Sequence, residues 1–143
     1  LRGCLDFLVD NGFPTKVIAV DALGSQIFSN YRHERLVPGF GSAICPQLTP
    51  VKGVHKHLHV NDIDCVTGCR TLARSEAILA GGSSGGVISA VQQMSSQIAK
   101  GSTAVALLPD RGERYLNTIF SDEWVRNNLG DIEHRWTSTA KEA

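Results

Sequence analysis

The chain has 143 residues, 42% of them hydrophobic, enough to bury one soluble domain core. Its 14 basic and 14 acidic residues are scattered and cancel, so no basic stripe invites nucleic acid or an anionic membrane. No apolar stretch reaches the roughly 20 residues of a membrane span, and no signal peptide is visible. The 4 cysteines lack the density of a secreted disulfide scaffold, so a reducing cytoplasm is the expected compartment.

In chain order, residues 1–10 (LRGCLDFLVD) read as a helix already in progress, with no Ser, Thr, Asp or Asn ahead of Leu1 to cap it. The amino end is therefore expected to be a cut through a larger protein. Residues 15–20 (TKVIAV) form a short β-branched run and predict a buried parallel strand. A loop rich in Gly and Pro follows over 29–50, and residues 56–60 alternate as a second short strand. Asn61 is a candidate N-cap with Asp62 and Asp64 behind it, and helical spacing from Val66 to Ala73 carries this helix to about Glu76.

A small-residue hinge, Ala80-Gly-Gly-Ser-Ser-Gly-Gly86, comes next, with Ser83 or Ser84 able to cap the next helix. After it, Val87, Ile88, Val91, Met94 and Ile98 make one apolar helix face, ended by Gly101. Residues 103–108 (TAVALL) predict a further buried strand stopped by Pro109. Short helical pieces around Tyr115 and over 123–128 close the domain. Alternating helices and buried strands predict an α/β fold with a largely parallel sheet.

Three segments stand out for chemistry. Glycines at 81–86 let a ligand approach a helix N-terminus, whose free N–H groups favour an electron-rich partner. Pro109-Asp-Arg-Gly-Glu-Arg-Tyr115 follows a predicted strand directly, where ligands sit in open α/β sheets. Pro38-Gly-Phe-Gly41 could line a pocket. Each taken alone is as readily a capped helix or a plain turn.

Together, in this order, the three resemble the cysteine-synthase and cystathionine-synthase group of pyridoxal-phosphate enzymes, fold type II. Val20-Asp-Ala-Leu-Gly-Ser25 looks like the group's strand-end segment, and the likeness runs to about Val125. The resemblance implies that residues 1–130 are the carboxyl-terminal portion of such a synthase, with 131–143 a weakly ordered tail. It implies pyridoxal phosphate as cofactor, with Ser83 on the pyridine nitrogen, Asp110 supporting Ser83, and Gly39 and Gly41 lining the cofactor's open side. No lysine here stands in the group's Schiff-base motif, so the resemblance places no catalytic residue in this chain and implies that it is inactive alone. Homodimerisation and small amino-acid substrates are implied by the same likeness.

Within the group, Val20-Asp-Ala22, Val37-Pro-Gly-Phe-Gly-Ser42 and Phe120-Ser-Asp-Glu-Trp-Val125 look most like siderophore-pathway members. Those join O-phosphoserine and glutamate on the way to 2,3-diaminopropionate. Cysteine synthase is the alternative.

Two chemical readings from other classes remain, beside a third in which the chain persists as a stable, non-catalytic fragment or interaction module. Gly81 to Gly85 also spells Gly-x-Ser-x-Gly, with Asp110 and His134 following in serine-hydrolase order, but the stretch before it reads as a helix end, not the strand a serine elbow needs. His55, His57 and His59 alternate along a strand with Cys65 and Cys69 nearby, which could bind zinc, although an exposed strand and core cysteines are the commoner outcome. No metal is expected.

Overall fold

The computed structural model describes residues 1–49 and 52–137. Pro50, which closes the predicted loop, and residues 138–143 of the predicted tail lie outside the described residues. Five α-helices and two strands are described: α1 (Arg2–Asp10), β1 (Ile18–Ala22), β2 (Lys56–Val60), α2 (Asp62–Glu76), α3 (Gly82–Met94), α4 (Asp122–Leu129) and α5 (His134–Thr137). Tight 3-10 turns at Ser95–Gln97 and Gly112–Tyr115 complete them. Among the described residues, no helix is long and apolar enough to cross a membrane.

β1 and β2 pair in parallel, with Ile18 opposite Lys56 and Ala22 opposite Val60. The first strand thus begins and ends later than the predicted 15–20, because pairing starts where the partner starts and an apolar run does not mark that point. One side of the pair, carrying Val20, Leu58 and Val60, packs on the core shared by α2, Val37, Ile119 and Val125. Alternation sends Ala19, Asp21, His57 and His59 to the other side.

Helix α2 follows the sequence closely. Asn61 caps it by accepting the N–H of Asp64 at 2.8 Å, Asp62 and Asp64 fill its first turn, and Glu76 ends it. Helix α3 does not. It begins at Gly82, inside the supposed hinge, so Ser83 and Ser84 occupy its second and third positions and Gly81 is an N-cap without a side-chain bond.

The buried face of α3 also differs from the predicted one. Gly82, Ser84, Gly85, Gly86, Ser89 and Ala90 are buried, whereas Val87, Ile88, Val91, Met94 and Ile98 are only half-buried. Close helix approach explains this: a Cβ on Gly68 of α2 would run into the carbonyl of Gly85, and one on Gly85 would run into that of Cys65. Small residues win the contact because the backbones nearly touch.

Residues 103–108 form no strand and are not buried. Val105 is 89% exposed and Leu107 68%. An apolar run of this length suits a strand flanked on both sides, and among the described residues no strand lies beside it. At the far end, Ile132 is buried in the core and the Arg70 guanidinium lies over the Trp136 ring.

Candidate functional site

The site is built around the first turn of α3. Three N–H groups there, those of Gly82, Ser83 and Ser84, have no carbonyl one turn back to accept them. The chain closes on this turn from three directions. Cys69 of α2 donates its thiol to the Gly81 carbonyl at 3.0 Å. Burial raises the pKa of Cys69, to about 12, and raises that of Cys65 further still, so both stay neutral thiols. Val37 packs on Gly82, where a Cβ would collide with it, and the Phe40 ring comes within 2.9 Å of the place a Cβ would take on Gly86. Of the six residues Gly81 to Gly86, Ser83 alone is not buried.

The loop carrying Val37 and Phe40 is tied at several points. Asp62 accepts the N–H groups of Leu36 and Val37, each at 3.0 Å. Arg35 donates to the Phe40 carbonyl at 2.7 Å, and the fully buried Ser25 hydroxyl accepts the N–H of Ser42 at 3.0 Å. Gly39 and Gly41 both have φ of +74°, a left-handed backbone that a side chain resists. A Cβ on Gly41 would press on Arg35 and Ser25, whereas one on Gly39 would meet no atom within 4 Å. Gly39 thus borders open space.

The third side is the turn after residue 108. Ala80 and Arg111 form an isolated antiparallel bridge, the Gly81 N–H donates to the Asp110 carbonyl, and the Gly112 N–H donates to that of Leu79, the last two at 3.1 Å. This brings the Asp110 carboxylate against Gly81, with Oδ2 accepting the Tyr115 hydroxyl at 2.7 Å. That bond, with some burial, raises the Tyr115 pKa. Oδ1 is buried and has no partner among the described residues, so no hydrogen bond joins Asp110 to Ser83. The Asp110 side chain stands behind the N-cap instead, because the Gly81 backbone and Tyr115 hold it there.

The structure therefore brings together the segments that carry Ser83, Gly39, Gly41 and Asp110: Val37 and Phe40 of the glycine loop pack by Gly82 and Gly86, and Asp110 lies against Gly81. Asp62, Ser25 and Tyr115, which hold the loops, were not among the sequence candidates. Asp62 carried a signal as an acid in a first helical turn, but nothing along the chain says which distant amides it accepts.

No family model matches the chain. Among solved structures it is similar to O-ureido-L-serine synthase, with a TM-score of 0.76 and 20% identity over 91% of this chain and 40% of that one. An O-ureido-L-serine-bound mutant of that synthase gives a TM-score of 0.70 and 20% identity, over 87% of this chain and 37% of the other. The O-acetylserine-dependent cystathionine β-synthase from Helicobacter pylori gives 0.73 and 22%, over 82% and 38%. The chain has the fold of part of these synthases. It spans about two-fifths of their length. The α/β architecture expected from the resemblance to fold type II is thus the one found.

No strand runs into Ser83, which lies in the second position of a helix, so the serine elbow is absent. His57 stacks on Phe28 with ring centres 4.2 Å apart, while Cys65 and Cys69 face the core from α2. Among the described residues no three potential ligands come together for a metal. A cavity of about 300 Å³ opens between Phe28, Cys45 and His57, and its lining includes no residue of α3.

Proposed function

We propose that this chain is the ring-binding part of a pyridoxal-phosphate synthase that replaces the β-substituent of an amino acid. One observation carries the reading: the glycine loop, the α3 terminus and the Asp110 turn converge, and Ser83 is left as the one unburied residue of 81–86. The residues fit the group. Gly39 borders open space and Ser83 is the half-buried position of the α3 terminus, so a flat ring has an approach to the two of them.

Pyridoxal phosphate, when bound, draws electrons from the substrate α-carbon and so lets a β-substituent leave. Ser83 would meet the pyridine nitrogen, with Gly39 and Gly41 along the ring's open side. A serine hydroxyl can donate a hydrogen bond to that nitrogen without holding a full proton on it, as a carboxylate would. The Asp110 charge stays behind the N-cap, shared with Tyr115, and is not spent on the nitrogen. The buried, neutral thiols of Cys65 and Cys69 add no competing nucleophile.

For substrates we infer O-phospho-L-serine and L-glutamate, from the segments that resemble siderophore-pathway synthases. The C–O bond to phosphate breaks, the glutamate amine forms a C–N bond at the same carbon and sheds a proton, and N-(2-amino-2-carboxyethyl)-L-glutamate results. In this reading the remaining three-fifths of the fold supplies the lysine and the substrate loop, the chain alone is inactive, and the whole enzyme is a homodimer.

The test is a visible absorption spectrum of the whole protein with pyridoxal phosphate. A cofactor band that O-phosphoserine shifts and glutamate restores supports the proposal. A band moved only by O-acetylserine makes the enzyme a cysteine synthase. If no band forms, the cofactor assignment is wrong.

A further inference from the structure

Asp62 looks, from its place at the start of α2, like an acid complementing a helix dipole. Its two oxygens have a more specific task. Oδ2 accepts the N–H of Leu36 and Oδ1 that of Val37, both at 3.0 Å, across 26 and 25 residues of chain. Hydrogen bonds to an ionised acceptor are stronger than neutral ones, and a carboxylate holding two adjacent amides fixes their plane as well as their distance. The gripped residues enter the glycine loop directly: Val37 is buried against Gly82, and Phe40 lies on Gly86. At the other end the Ser25 hydroxyl holds Ser42, and a Cβ on Gly39, between the two anchors, would touch nothing.

We propose that Asp62 is the positioning residue of the glycine loop: its two-handed grip on the Leu36 and Val37 amides sets how closely the loop lies over the α3 terminus, and so the width of the space that Ser83 faces. The consequence for cofactor binding rests on the reading of that space as a pyridoxal-phosphate site. The grip itself is a matter of the loop's own amides.

Asn61 provides the control. It caps the same helix terminus through Asp64 but holds no loop amide. Asp62→Ala, Asp62→Asn and Asn61→Ala are compared in the whole protein by amide hydrogen exchange at Leu36 and Val37 and by pyridoxal-phosphate titration. Asp62→Ala is expected to speed exchange at both amides and to weaken cofactor binding, each by about tenfold or more, as loss of charge-assisted hydrogen bonds allows. Asp62→Asn, which keeps one acceptor oxygen, falls between. Asn61→Ala lowers the melting temperature yet leaves both readouts near wild type.

Unchanged exchange in Asp62→Ala overturns the proposal. So does faster exchange with cofactor affinity unaltered, or equal effects from Asn61→Ala, since a general loosening of α2 would then explain everything. A wild-type protein that binds no cofactor sinks the functional reading alone, and exchange that still accelerates selectively in Asp62→Ala sustains the grip.

Discussion

Gly68 and Gly85 face each other where α2 crosses α3, each with the other helix's backbone in the space a side chain would need. Neither helix can yield without parting from the core, so Gly68→Ala or Gly85→Ala should each cost about 2–3 kcal/mol in urea unfolding. The four thiols divide by burial: Cys4 and Cys45 are exposed, Cys65 and Cys69 buried. A thiol reagent near pH 8 is expected to label the first two in the native protein and all four after denaturation. The same burial sets a pH dependence. Cys69 titrates near 9.0 when unfolded and at about 12 when folded, so its contribution to stability is complete below 9 and fades as pH rises towards 12. Tyr115, raised mainly by its bond to Asp110, adds loss in the same direction above its ordinary value near 10.0. Chemical unfolding across this alkaline range should show a falling midpoint, and Cys69→Ala should flatten part of the fall.

Both ends of helix α2 are set by local chemistry. Asn61 satisfies one orphan N–H, and Asn61→Ala should cost about 1 kcal/mol. Its other end is less well served, because Ala77 takes a left-handed backbone with φ of 56°. A Cβ resists that conformation, so Ala77→Gly is expected to raise stability by about 1 kcal/mol. Thermal melts of the two variants, moving in opposite directions, would check both ends at once. Helix α3 behaves differently. Its start, seen in sequence, looks like a hinge, because glycine propensity argues against helix. The structure puts those glycines inside the helix, since contact with α2, Val37 and Phe40 outweighs a propensity loss of about 1 kcal/mol per glycine.

At the scale of the molecule, the apolar segment 103–108 lies open, with Val105 and Leu107 outward, and Phe7, Val9 and Phe13 are exposed at the other end of the chain. Such surface binds hydrophobic dyes, and the chain by itself should bind one strongly. In the chain alone Val105→Lys should change stability by less than about 0.5 kcal/mol, as surface substitutions do. Urea unfolding of the variant checks this, and a much larger loss would mean that the segment is covered.

Much of this protein was legible along the chain, wherever the deciding interaction is short in range. The Asn61 cap, the α2 limits, the 3-10 turn at Tyr115 and the helix over 123–128 each rest on contacts within a few residues, and propensity or capping chemistry reports those directly. The three site motifs were likewise visible as composition, and the segments that carry them pack on one another, Val37 on Gly82, Phe40 by Gly86 and Asp110 against Gly81. What only the tertiary structure decided depends on partners far along the chain: where β1 begins, which face of α3 is buried, that residues 103–108 have no paired strand among the described residues, and that Asp110 lies against Gly81 and accepts from Tyr115. Periodicity reports that a face wants burial, but burial is an area shared between two surfaces, and only the folded chain shows which second surface is there.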